Sequence, residues 1–199
     1  MGFIRARAQK FASLGLVLIL AFVMLVNFST PTVHGNGSGV ADQLSPLGDN
    51  LVRVWGYSVS DQHFQLFDPK DSRVTSDLLS LNKGQGYWVN VRKDQQVQLS
   101  GRTYFLREGW NLIGWGETGS VVLPVKEFAA SLGGNLVRVW GFDVPSYRYQ
   151  LFDPADARVS DLTTLNPGQG YWINVTKDIT LKVRAHPYNL VAGWNLIGW

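Results

Sequence analysis

The segment at 50–57 reads NLVRVWGY, and it returns at 135–142 as NLVRVWGF. Three more segments recur in the same order: QLFDP at 65–69 and 150–154, NKGQGYWVNV at 82–91 with NPGQGYWINV at 166–175, and GWNLIGW at 109–115 and 193–199. All eight tryptophans fall into equivalent pairs: Trp55/Trp140, Trp88/Trp172, Trp110/Trp194 and Trp115/Trp199. Self-similarity of this kind predicts one structural unit that the chain contains twice.

The boundaries of the two units depend on where GWNLIGW belongs. If it closes each unit, the chain divides into an N-terminal segment at 1–35, a first β-rich unit at 40–115, a linker at 116–123 and a second β-rich unit at 124–199. If it opens each unit instead, one whole module is flanked by two fragments. We favour the first division because both ends of the repeated region then coincide with unit ends.

Short runs of β-branched and aromatic residues, separated by Gly, Pro, Asp and Asn, predict a mostly β chain. In the first unit we expect strands at 51–57, 63–67, 87–91, 97–99, 103–106 and 110–115. PVKEFAASL at 124–132 predicts a short helix, since proline suits a first helical turn and two glycines follow. Its counterpart at 40–47 contains Pro46, so we expect a shorter helix there or none.

The expected fold is therefore two tandem small antiparallel sandwiches or partly open barrels, each with at most one short helix. A signal or anchor helix is expected to precede them at the N-terminus.

Composition excludes several classes of protein. The chain is 45% hydrophobic and 13% aromatic, and it has no cysteine. Disulfide frameworks, cysteine zinc sites and thiol catalysis are therefore excluded. The formal charge is +3, but Arg5, Arg7 and Lys10 are the only charges before Asp42, so the rest of the chain is neutral. This neutrality argues against nucleic acid as a partner, because a surface that binds nucleic acid needs clustered positive charge.

The first 35 residues are predicted to be an export segment. Three cations precede the apolar run LGLVLILAFVMLV at 14–26, and a polar stretch follows it. A signal peptide would be cut before Asn36, whereas an uncleaved segment would anchor the chain in the membrane through residues 11–28. Either alternative places the remaining chain outside the cytoplasm, secreted or anchored to the cell membrane. An exported protein without cysteine suits a bacterial or archaeal envelope.

Strand alternation predicts which side chains share a sheet face. In the first strand, 52, 54 and 56 are expected on one face and 51, 53, 55 and 57 on the other. Two tryptophans of each unit then share a face with polar residues. The candidate ligand-binding residues are Arg53, Trp55, Trp88, Asn90, Arg138, Trp140, Tyr147, Tyr149, Trp172 and Asn174. Such a face could stack a sugar ring, but the rings could equally pack on each other, on the helix or on the sister unit.

Other motifs indicate little chemistry. Asp68, Asp71 and Asp77 recur in the second unit, but Asp-Pro is a common turn opener and the carboxylates are too few for calcium. NKGQG lacks the Lys-Ser or Lys-Thr that follows in a phosphate-binding loop. No histidine is repeated between the units. We expect no catalytic residue, no metal site and no cofactor.

The combination of GWNLIGW, a helix-like VADQL or VKEFAASLGG segment, FDP and NPGQGYWINV resembles a tandem repeat module of exported bacterial and archaeal surface proteins. The resemblance covers nearly all of 40–199. It implies an extracytoplasmic β-rich accessory or surface module, and it implies no catalytic residues.

The sequence thus predicts a non-enzymatic exported module with a surface, structural or protein-interaction role. Its expected partner is a cell-surface protein or a polysaccharide. The alternative is a carbohydrate-binding module that uses exposed aromatic side chains. An enzyme that uses the Asp68/Asp77 pair ranks last, because hydrolysis needs two carboxylates at a defined separation across a cleft.

Overall fold

A computed structural model describes residues 39–71, 73–116, 121–183 and 186–199. The expected export segment and the middle of the expected linker lie outside the described residues. The described residues between 39 and 199 form one compact unit, so the two repeats pack against each other.

The helices are short, and they differ between the repeats. In the first repeat α1 covers only Val40–Gln43, and a 3₁₀ helix follows at Ser45–Asn50. Pro46 lies in the first turn of that 3₁₀ helix, where its missing N–H costs no helical hydrogen bond. In the second repeat α2 covers Val125–Ser131 without interruption. The expectation of a shorter helix in the first repeat is confirmed.

Strands account for most of the remaining structure. Those of the first repeat are β1 (Leu51–Ser58), β2 (His63–Phe67), β3 (Gly86–Val91), β4 (Gln95–Leu99), β5 (Arg102–Leu106) and β6 (Gly109–Gly114). Those of the second are β7 (Leu123–Pro124), β8 (Leu136–Asp143), β9 (Arg148–Phe152), β10 (Thr164–Leu165), β11 (Gly170–Val175), β12 (Ile179–Val183), β13 (His186–Leu190) and β14 (Gly193–Gly198).

Each repeat contains a four-stranded antiparallel sheet and a separate antiparallel hairpin. The strand order is β2-β1-β3-β6 in the first repeat and β14-β11-β8-β9 in the second, and the hairpins are β4-β5 and β12-β13. The GWNLIG strands β6 and β14 pair with the GYW strands β3 and β11 of their own repeats. The mostly β class with small antiparallel sheets is confirmed, and no barrel closes within the described residues.

One face of each sheet, the inner face, is covered by the helix and the hairpin of its own repeat. The buried residues of the first core include Val40, Leu44, Val54, Tyr87, Val89, Val97, Tyr104, Ile113 and Trp115. The second core is built from the equivalent elements: Val125, Phe128, Val139, Tyr171, Ile173, Leu181, Tyr188, Ile197 and Trp199. Both cores therefore form within their own repeats.

Simple alternation gives the wrong faces at the start of β1. The pairing with β3 shifts register between Leu51 and Arg53, which marks a β-bulge. Because the bulge adds one residue, Leu51 turns into the core and is 4% exposed, whereas Val52 is partly exposed. Sequence alternation predicted the opposite for both side chains. The second repeat has its own register shift, in the pairing of β11 with β8.

The asparagine of each GWNLIG strand is a buried structural residue. Asn111 is 1% exposed. Its Nδ2 donates to the carbonyls of Arg107 at 2.8 Å and Gly109 at 3.1 Å, and its Oδ1 accepts from the Arg107 amide at 2.9 Å. Asn195 makes the equivalent bonds in the second repeat. Each side chain thereby satisfies the backbone of the turn before its strand.

Candidate functional site

The outer face of each sheet, opposite its inner face, packs against the other repeat. Leu112, Leu196 and Phe142 form a third buried cluster, joined by rings from both repeats. The Trp88 ring lies 5.1 Å from Phe142 and 6.1 Å from Tyr149, measured between centroids. Reciprocally, the Trp172 ring lies 5.0 Å from Tyr57 and 5.5 Å from Phe64.

These contacts obey an approximate twofold relation, because Tyr57 and Phe64 are the sequence equivalents of Phe142 and Tyr149. Edge-to-face aromatic pairs stabilise beyond the apolar area that they bury. Trp88 and Trp172 are therefore part of the contact between the repeats.

The backbones of the two repeats also touch. The Gly114 amide donates to the Gly168 carbonyl at 2.9 Å, and the Gly198 amide donates to the Gly84 carbonyl at 2.9 Å. A Cβ on Gly114 would lie 2.7 Å from the Gly198 Cα. Only glycine permits this approach, so the last glycine of each GWNLIG strand has a steric role between the repeats.

The structure brings most of the candidate ligand-binding residues together on the outer face of each sheet, and we call each such group the platform of its repeat. Arg53 is in register with Asn90, and Trp55 with Trp88. The second repeat has the same pairs, Arg138 with Asn174 and Trp140 with Trp172. Directly paired residues have Cβ atoms about 5 Å apart, so each set forms one patch. Trp55 and Trp140 are partly exposed within it.

The two predicted tyrosines lie at the contact between repeats. Tyr149 packs on Trp88, on Trp140 and on Phe142, and burial raises its pKa to about 12. The Tyr147 hydroxyl donates to the carbonyl of Glu108 in the first repeat, although half of the Tyr147 side chain is exposed. Tyr147 has a φ of 53°, as does its equivalent Gln62. The β8-β9 turn therefore contacts the first repeat.

A charged cleft of about 370 Å³ opens beside the platform of the first repeat. Its lining consists of Val52, Arg53, Asp68, Lys70, Asp71, Arg73 and Arg92. Arg53 approaches Asp68 at 2.9 Å, and the carboxylate of that pair is 4% exposed in its side chain. Arg73 forms a two-pronged pair with Asp71, whose pKa it holds below the ordinary value. We call this lining set the first-repeat cleft.

The aspartates that suggested acid–base or calcium chemistry hold the backbone of the turn. Asp68 accepts from the amides of Lys70 and Asp71, both at 3.1 Å, and Asp77 accepts from the Leu66 amide at 2.6 Å. Asp161 does the same for Leu151 at 2.7 Å. Within the described part of the chain, no three His, Cys, Asp or Glu side chains are placed to hold a metal ion.

Sequence reasoning found Arg53 but missed Lys70, Arg73 and Arg92 as parts of one site. The signal was present in the comparison of the repeats, because Lys70 corresponds to Ala155 and Arg92 to Thr176. Without the fold, residues 70 and 92 lie on separate segments, and nothing indicates that they share a cleft.

No protein-family model, curated protein or solved structure matches this chain. The resemblance to a repeat module of exported proteins therefore stays a prediction. Across the residues that the structure describes, each helix is too short or too polar to cross a membrane.

Proposed function

We propose that the protein is an exported, non-enzymatic module with a surface, structural or protein-interaction role, built as two tandem small sandwiches. The observation that carries the proposal is the reciprocal contact of Trp88 and Trp172 with the opposite repeat. Residues that a ligand-binding protein would leave open are used here to fix two cores in one arrangement. A fixed pair of cores suits a spacer or a scaffold.

The use of the acidic residues supports the same proposal. Asp68 and Asp77 accept backbone hydrogen bonds, and Asp68 also faces Arg53. Carboxylates that are occupied by backbone amides in this way hold the turn after β2 in place, which is a structural role. The apolar run at 14–26 and the cations before it support export.

The test is complementation in a strain of the producing organism that lacks the protein. The wild-type chain and Phe105→Ala should restore envelope integrity, measured as detergent resistance, since Phe105 is 74% exposed on a hairpin. Trp88→Ala combined with Trp172→Ala should not restore it, because the repeats would lose their fixed arrangement. External protease added to intact cells should cleave the wild-type chain.

Two outcomes would contradict this proposal. The first is turnover of an ester, peptide or glycoside by the purified chain. The second is full complementation by the variant with both Trp88→Ala and Trp172→Ala. For this outcome to count, urea unfolding must first show that the repeats of the variant no longer pack on each other.

A second candidate function is carbohydrate binding, and the patch of Arg53, Trp55 and Asn90 favours it. The Asn90 amide has no hydrogen-bond partner among the described residues, so it can bond a sugar hydroxyl. Trp55→Ala with Trp140→Ala should then abolish signals on a glycan array, while circular dichroism should show that the variant is still folded. Silence of the wild-type chain on cell-wall polysaccharides would remove this candidate.

A further inference from the structure

The first-repeat cleft collects cations from three separate segments of the chain. Arg53 comes from β1, Arg92 follows the end of β3, and Lys70 and Arg73 come from the turn after β2. The fold, and not local sequence, therefore concentrates four positive side chains around one opening of about 370 Å³.

The carboxylates of the cleft leave positive charge unmatched. Asp68 pairs with Arg53, and Asp71 pairs with Arg73. Lys70 reaches Asp49 at 2.8 Å, but the Asp49 side chain is fully exposed, so an incoming anion can compete for the ammonium. Arg92 forms no ion pair among the described residues; its Nε donates to the Asp49 carbonyl at 3.2 Å, and, together with Lys70, its charge helps to lower the pKa of the Asp49 carboxyl.

The second repeat provides an internal reference for this charge. Its equivalent positions keep Arg138 with Asp153 and Arg158 with Asp156, so those charges balance. Two of the four cations are missing there, since Ala155 stands for Lys70 and Thr176 for Arg92. Asp49 corresponds to Gly134. The surplus is therefore confined to the first repeat, on a scaffold that both repeats share.

The surroundings of the cleft suit a sugar that carries an acid group. Arg53 is in register with Asn90, and Asn90 with Trp110 on the next strand. The Arg53 guanidinium can bind an oxyanion, and the Asn90 amide, which has no hydrogen-bond partner among the described residues, can bond a hydroxyl. The partly exposed Trp110 indole can stack on the apolar face of a pyranose ring. An acidic peptide would use the guanidinium but has no such need for the indole.

We propose that the first-repeat cleft binds the carboxylate of an acidic saccharide, with Arg92 and Lys70 as its principal cations and Asn90 and Trp110 beneath the sugar. This inference deepens the second candidate function. Its variants leave the indoles intact, so the failure of the cleft and the failure of the aromatic patch are distinguishable.

The test is calorimetric titration of the purified protein with trigalacturonate at low ionic strength. Wild-type protein should bind it, and binding should weaken with added salt because the contact is between exposed charges. Lys70→Ala with Arg92→Thr, which gives the first repeat the residues of the second, should weaken binding about tenfold or more. Both side chains are exposed, so circular dichroism should be unchanged.

A matched control removes the same charge elsewhere. Lys126 and Lys182 are exposed in the second repeat, and Lys126→Ala with Lys182→Ala should bind as the wild type does. The converse variant, Ala155→Lys with Thr176→Arg, should create a second site and double the stoichiometry. Neutral maltotriose should bind far more weakly than trigalacturonate.

Four results would overturn the proposal: no binding of trigalacturonate by the wild type, unchanged binding by the cleft variant, equal weakening by the control variant, or equal binding of triglutamate. The last result would assign the cleft to acidic peptides. A glycan-array signal lost in the Trp55→Ala and Trp140→Ala protein but retained in the cleft variant would keep the aromatic patch and reject the cleft.

Discussion

In the first repeat, Lys70 and Arg92 line a cleft with surplus positive charge; at the same register positions, the second repeat has Ala155 and Thr176. At the contact between the repeats the equivalent residues match closely, with Trp88 answering Trp172. The tryptophan contacts are therefore close to twofold symmetric, whereas the solvent-facing cleft is not. Substitutions at the contact must fit close-packed neighbours, and substitutions around the cleft meet mostly water.

The largest effect is expected from alanine at the glycines where the repeats touch. A Cβ on Gly114 would lie 2.6 Å from the Gln169 carbonyl oxygen, and one on Gly198 would lie 2.5 Å from the Gln85 carbonyl oxygen. Backbone atoms cannot rotate away, so each variant should lose about 3 kcal/mol or more of unfolding free energy. Urea unfolding followed by tryptophan fluorescence measures the loss.

Gly39→Ala is the matched control, because Gly39 has a φ of −64° and its added Cβ would meet its nearest neighbour at 3.7 Å. It should unfold close to the wild type. If Gly114→Ala were as stable as this control, the inference that the backbones of the two repeats touch at Gly114 would be wrong.

Truncating either of the reciprocal tryptophans should have the next largest effect. Trp88→Ala and Trp172→Ala each remove an indole packed on two rings of the other repeat. Each should cost about 2–4 kcal/mol, with the two losses equal within about 1 kcal/mol. Unequal losses would break the twofold relation. Phe105→Ala, at an exposed site, should cost little in the same urea experiment.

A smaller, pH-dependent effect is expected at Tyr149, where the first repeat has Phe64. Burial raises the pKa of Tyr149 to about 12, whereas an unfolded phenol ionises near 10. Between these values the folded state keeps a proton that the unfolded state releases, so stability falls as pH rises from 10 to 12. Tyr149→Phe should remove about 1 kcal/mol of that loss near pH 11.

Urea midpoints at neutral and alkaline pH measure this difference. Near neutral pH the variant should match the wild type, because the Tyr149 hydroxyl has no hydrogen-bond partner among the described residues. An alkaline loss of the same size in both proteins would show that the Tyr149 phenol is not protected by the contact between repeats.

The smallest effect is expected in the turns that differ between the repeats. The Tyr147 hydroxyl bonds the Glu108 carbonyl across the contact, whereas Gln62 bonds Val59 and Tyr57 within its own repeat. Tyr147→Phe should therefore cost about 0.5–1 kcal/mol at this exposed position. Gln62→Ala should leave the contact between repeats intact. A stability gain for Tyr147→Phe in the same titration would argue that this bond does not stabilise the contact.

Much of the local structure was predictable because it depends on neighbouring residues. Strand positions followed from β-branched and aromatic runs, and Pro46 indicated the short first helix. The faces of Leu51 and Val52 were not predictable, since a bulge changes alternation without a sequence mark of its own. The platform residues were placed on one face correctly, yet alternation cannot say what covers that face.

The sequence by itself determined that the chain contains one unit twice, which segments form strands, and which glycines and tryptophans recur. Only the tertiary structure decided that Trp88 and Trp172 pack on the opposite repeat and that Lys70 and Arg92 share a cleft with Arg53. The physical reason is the distance along the chain over which each kind of interaction acts. Strand and turn preferences act over a few residues, whereas the cover of a sheet face and the walls of a cleft come from segments far apart in the chain.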